Sequence, residues 1–185
     1  MRLMLSCIEV LMRIIVRNGL LIAMALALSY FERILPLGAV VPLPGVKLGL
    51  ANIVTMYALF YIGFQAALTI TVIRCVMALM FYGSITSLAL SLSGGILALL
   101  IMDVLKTGYG KYFSLIGISI AGAAFHNFGQ VLMAALLMNT TAVFAYLTVL
   151  FFIAIATGLL TGTVAGLLFE KLDYAMPHMK GEVKI

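Results

Sequence analysis

The chain has 185 residues, 65% of them hydrophobic and 9% charged, with a net charge of +5 and a mean hydropathy of +1.25. That is more apolar surface than a water-soluble domain of this length can bury, so the composition specifies an integral membrane protein. The basic excess does not indicate nucleic acid, because Lys and Arg form no patch and sit at segment ends, where topology accounts for them. Cys7 and Cys75 stand in apolar surroundings without a CxxC neighbour, so neither a disulfide framework nor a zinc site is implied.

A spanning helix needs about 20 mainly apolar residues, and six spans are expected. Met1–Val16 spaces Arg2, Glu9 and Arg13 among apolar residues and reads as an amphipathic lead-in at the inner surface. The first span covers Arg17–Ile34 and is read as a retained helix, since its charged approach is long for a cleaved signal. Within it, Ala23 and Ala27 form a small-xxx-small pair that permits close helix approach, either inside the bundle or to another membrane subunit.

Residues 35–47 carry three of the chain's four prolines, Pro36, Pro42 and Pro44, yet remain apolar. Proline fixes φ and removes a backbone donor. A stiff apolar loop of this kind is either a lid over an outer cavity or an ordinary interfacial connector. The second span, Leu48–Ile62, is short. Asn52 and Thr55 share one of its faces near the loop, to line a cavity wall or to serve helix-start packing.

A break at Gly63 leads to the third span, Gln65–Tyr82. It holds Arg74 at roughly 13 Å from its inner end, at about 1.5 Å per residue. No acid is expected at matching depth: Glu32 should lie near the outer surface, and Asp103 near Lys106 at an inner end. Arg74 therefore meets an anionic substrate, or else it snorkels, binds backbone carbonyls, or pairs with Asp103 if the span boundaries are shifted.

The remaining spans are Ile85–Leu105, Phe113–Met138 and Ala142–Phe169. Gly158, Gly162 and Gly166 recur every four residues in the last, a helix-packing pattern. With the N terminus inside, eight basic residues (Arg2, Arg13, Arg17, Lys106, Lys111, Lys171, Lys180 and Lys184) fall on the cytoplasmic side, against Arg33 and Lys47 outside. The expected topology is N-in and C-in, with 170–185 a cytoplasmic tail.

The fifth span contains the most informative stretch, in which His126, Asn127 and Gln130 interrupt an apolar run. Polar side chains at bilayer depth are costly and usually face the bundle interior. His126 and Gln130 are four apart on one face, with Asn127 near it. They form a ligand-binding stripe or interhelical hydrogen bonds, while Gly122 and Gly129 thin the same helix. No Walker loop, HExxH, nucleophile elbow or paired carboxylate at depth occurs, so no enzyme activity, cofactor or metal is expected.

The run Leu43–Pro44–Gly45–Val46–Lys47–Leu48–Gly49–Leu50–Ala51–Asn52–Ile53–Val54–Thr55, with the later Phe125–His126–Asn127–Phe128–Gly129–Gln130, resembles the Gx transporter family of bacteria. That family is also labelled heptaprenyl diphosphate synthase component I and is similar to the S components of energy-coupling factor transporters. The resemblance covers nearly the whole chain. It implies an all-α, six-helix bundle of S-component type in the bacterial plasma membrane, binding a small vitamin-like or precursor molecule. It further implies a lid at Pro36–Lys47, and Ala23 and Ala27 as the contact for a transmembrane coupling subunit that works with two ATPase subunits. His126, Asn127, Gln130, Asn52, Arg74 and Lys47 are then the candidate substrate contacts. The alternative is an accessory membrane subunit of polyprenyl diphosphate or quinone synthesis. The chain has no aspartate-rich diphosphate-binding motif of its own.

Overall fold

The computed structural model describes residues 2–34 and 49–175. Among them the chain forms helices α1 (Arg2–Ile34), α2 (Asn52–Tyr61), α3 (Phe64–Phe81), α4 (Ile85–Lys106), α5 (Leu115–Met138) and α6 (Leu147–Ala175). A 3-10 turn, Ala142–Tyr146, precedes α6. The 35–47 segment, with Lys47, lies outside the described residues, as do Cys7's side chain and residues 176–185 of the expected tail.

Local chemistry sets the boundaries. Pro36 lies two residues beyond the last described residue of α1, and its ring disfavours helical backbone in the residue ahead of it. The expected break at Gly63 is present, with φ +126°, a conformation open to glycine and costly for other residues. The Ser84 and Ser114 hydroxyls accept from the amides of Ser87 and Gly117 and cap α4 and α5. Asn139 ends α5 in the left-handed region at φ 48°.

Two segments differ from expectation. The lead-in and the first span are one 33-residue helix. Nothing between Arg2 and Val16 interrupts it, since the stretch contains neither Pro nor Gly. The second span is a helix of only ten residues, roughly 15 Å long and short of a bilayer crossing. Among the described residues, five helices are long and apolar enough to cross a membrane.

The shortness of α2 follows from its position. It touches α1, α3, α4, α5 and α6, and eight of its ten residues are buried. Around it, α1 packs on α3, α3 on α4, α4 on α5 and α5 on α6. Helix α2 is thus an enclosed central strut that has no need to match the membrane's thickness.

The interior divides along its length. At the end where α3 begins and α4 finishes, the core is apolar: Leu21, Ala25, Leu59, Phe60, Ile70, Leu99, Met102, Ile118 and Phe169 pack together. Tyr57, Tyr61, Phe60 and Phe169 add ring contacts at 4.8 to 6.2 Å between centroids. Lys106 donates to the Leu59 carbonyl at 2.7 Å and lies over the Phe60 ring. At the other end, where α1 finishes and α2 begins, Ser29, Glu32, Asn52, Thr55, Arg74, His126 and Gln130 are buried, beside a smaller apolar cluster of Val131, Val143 and Leu150.

The glycines of α6 are packing devices within the chain. A Cβ at Gly158 would lie 2.5 Å from the Ile120 Cα of α5, and one at Gly162 would lie 2.9 Å from the Ile116 Cα, whereas Gly166 has room. The Ser119 and Thr161 hydroxyls, 2.7 Å apart, join the same two helices. Gly158→Leu should therefore force α5 and α6 apart and destabilise the protein by about 1–3 kcal/mol. Gly166→Leu should have little effect, and thermal unfolding of both variants in detergent, followed by circular dichroism, checks the contrast.

Candidate functional site

The polar half is organised by Gly94 and Gly95, adjacent residues of α4 that face different neighbours. A Cβ at Gly94 would lie 2.6 Å from the His126 carbonyl oxygen, 3.0 Å from Gln130 Cγ and 3.2 Å from His126 Cε1. A Cβ at Gly95 would lie 2.8 Å from Thr71 Cγ2 and 3.5 Å from the Arg74 Nη2. On the α5 side, Gly129 returns the contact, since its Cβ would meet Gly94 Cα at 2.9 Å. Backbone against backbone, α4 and α5 approach as closely as helices can, which small residues permit.

On one side of this pair stand His126 and Gln130, 2% and 0% exposed, with the Gln130 Nε2 and His126 Nε2 2.6 Å apart. With the amide donating, the ring accepts through Nε2 and carries its hydrogen on Nδ1. Asn52, at the start of α2, joins them through Gly49. A Cβ at Gly49 would meet Asn52 Nδ2 at 2.8 Å and His126 Cδ2 at 3.5 Å, and Gly49 takes φ +85°. Asn52 Nδ2 is buried without a hydrogen-bond partner among the described residues.

On the other side stands Arg74, 2% exposed. Its Nη1 donates to the Ser29 hydroxyl of α1 at 2.8 Å, while Nε and Nη2 are buried and have no partner among the described residues. Thr71, one turn before Arg74, lies 3.2 Å from Thr55 of α2, hydroxyl to hydroxyl. Glu32, one turn beyond Ser29, is 1% exposed and accepts from the Leu50 amide. Magnitudes show that Ser29 alone does not offset Arg74. An arginine at the centre of a membrane helix costs about 2.5–3.5 kcal/mol on insertion scales, and one interhelical hydrogen bond returns about 0.6 to 2.

Of the residues the sequence nominated, Asn52, His126 and Gln130 cluster beside Gly94, while Arg74 is buried in the same half of the bundle against the neighbouring Gly95. Asn127 stands apart from them: its Nδ2 donates to the Leu150 carbonyl of α6 at 2.9 Å on another face of α5. There Asn127 lies against a groove of about 600 Å³ lined by Phe125, Phe128, Phe151 and Phe152. Helix geometry gives the reason: consecutive residues point about 100° apart, so Asn127 and His126 address different neighbours. Glu32, expected near the outer surface, lies two residues from the described end of α1 and is turned into the bundle. Ser29, Gly49, Thr71 and the Gly94–Gly95 pair were missed. The adjacent glycines were the available signal. Ala23 and Ala27 lie on the exposed side of α1, opposite the buried row Leu21, Ala25, Ser29 and Glu32.

The chain belongs to the family described as heptaprenyl diphosphate synthase component I, whose family model matches residues 21–168. No curated protein and no solved structure matches it. The matched stretch includes every element of the polar half.

The Asn127–Leu150 bond makes Asn127 a fastener between α5 and α6. Asn127→Leu should lower stability by about 0.6–2 kcal/mol, seen as a reduced melting temperature in detergent. A variant as stable as the parent would show that the bond carries no net energy.

Proposed function

We propose that this chain is the membrane-embedded substrate-binding subunit of an energy-coupling factor type ABC transporter. It would take up a small vitamin-like or precursor molecule across the bacterial plasma membrane, with both termini cytoplasmic. The observation that carries this reading is the division of the interior. Most buried polar groups of α1 to α5, among them Glu32, Asn52, Arg74, His126 and Gln130, lie in one half of the bundle, and the larger apolar cluster fills the other, with the Ser119–Thr161 pair its main polar contact. A one-sided polar site suits capture from one face, whereas a self-contained pathway needs polar groups through its full depth.

In this reading His126, Gln130 and Asn52 offer the substrate donors and acceptors, and Arg74 supplies charge. Release requires work from elsewhere, since the sequence has no nucleotide-binding motif. A transmembrane coupling subunit and two ATPase subunits would provide it. The exposed Ala23 and Ala27 give α1 a flat face on which such a subunit can approach closely.

The family description also accommodates a second reading, an accessory membrane subunit of polyprenyl diphosphate synthesis. Catalysis would then lie in a partner synthase.

Affinity purification from native membranes in mild detergent separates the two. Recovery of ATPase subunits with a membrane coupling protein is expected. Recovery of a prenyl synthase without them would replace the first reading by the second. Ala23→Leu with Ala27→Leu should cut the recovered coupling protein about tenfold while leaving the melting temperature of the chain unchanged. The His126→Leu, Gln130→Leu double variant should retain the complex and lose any co-purifying small molecule. A folded double variant that keeps it would remove these two residues from the site.

A further inference from the structure

The polar half holds a cation with too little to balance it. Arg74 is enclosed, bonded through Nη1 to a neutral hydroxyl, with Nε and Nη2 unpartnered among the described residues. The full sequence offers few counter-charges. Of its six acids, Glu9, Asp103, Glu170, Asp173 and Glu182 belong to the opposite end of the bundle or to the chain's terminal stretches. The 35–48 segment contains no Asp or Glu. Glu32 alone shares the polar half, and one of its oxygens is engaged by the Leu50 amide. Gly95, which has no side chain, lets Thr71 and the guanidinium lie close against α4, since a Cβ there would come within 2.8 Å of Thr71 Cγ2 and 3.5 Å of Nη2.

We infer that the substrate carries an anionic group, a carboxylate or a phosphate, that Arg74 receives through its Nε and Nη2 edge. This assignment rests on the substrate-binding reading and deepens it. The Nε–Nη2 edge presents two parallel N–H donors, the geometry that a carboxylate or phosphate accepts in a bidentate pair. Ser29 holds the opposite corner of the guanidinium, which fixes the direction of that edge. His126, Gln130 and Asn52, across the Gly94–Gly95 pair, would then read the neutral part of the same molecule.

The test uses the full-length chain in neutral detergent micelles. Thermal unfolding is followed by circular dichroism in rising sodium phosphate or sodium benzoate, against sodium chloride at equal ionic strength. A saturable rise in melting temperature with phosphate or benzoate, absent with chloride, is expected. In Arg74→Gln the midpoint concentration should increase at least about tenfold, and Arg74→Lys should fall between the two. Equal shifts in the parent and Arg74→Gln would overturn the assignment. Should Arg74→Gln not fold, the parent titration still decides, because no anion-specific shift overturns it as well.

A third arm adds phosphatidylglycerol to the micelles. Stabilisation by that lipid and by neither small anion would assign the anion to a lipid headgroup and overturn a transported one. Failure of the anion titration alongside recovery of the ATPase complex would leave a transporter for an uncharged substrate. Anion binding without that complex would remove the transporter reading alone.

Discussion

Contact between the backbones of α4 and α5 at Gly94 and Gly129 is the constraint on which the rest of the interior depends. Side chains of ordinary size there would hold the helices apart by the width of a methyl group or more. With that space closed, His126 and Gln130 are pressed against α4, and His126 also lies beside Gly49 at the approach to α2. Gly95 does the corresponding service for α3, admitting Thr71 and Arg74. Two glycines in sequence thus place two polar groups on either side of one helix.

The division between polar and apolar halves gives the bundle different kinds of cohesion along its length. At the apolar end, aromatic and aliphatic groups interlock by shape, and exchange with lipid tails offers little competing advantage because packing alone distinguishes the two. At the polar end, cohesion is by hydrogen bonds: Ser29 with Arg74, Thr55 with Thr71, Gln130 with His126 and Leu50 with Glu32. Each bond there links two partners that would otherwise face an apolar medium, so loss of one leaves the other exposed to that cost.

Hydropathy alone located most of the architecture. The third, fourth and fifth spans form helices within a residue or two of where the apolar runs begin and end, and Gly63 breaks the chain where its flexibility is needed. Spacing of four residues also identified the shared face of His126 and Gln130. What sequence reasoning could not reach were relations set by distant neighbours. Asn127 belongs to α6 because α6 happens to flank that side of α5. Glu32 is buried because a backbone amide 18 residues later meets it, and hydropathy has no means of registering such a partner. The length of α2 was misjudged for the same reason. Apolar composition signals removal from water but does not distinguish contact with lipid from contact with protein.

The burial of α2 bears on how the protein is made. A ten-residue helix is too short to partition across a bilayer unaided, and its Asn52 and Thr55 would meet hydrocarbon before the other helices surround them. The long helices satisfy the length requirement for independent insertion, and the strut satisfies it only in their company. Helix length therefore favours an order in which α1 and α3 to α6 insert and provide the enclosure in which α2 is buried. The segment bearing part of the polar site is thus among the last to acquire its final surroundings, and a chain that has not completed its helix packing has no site to offer.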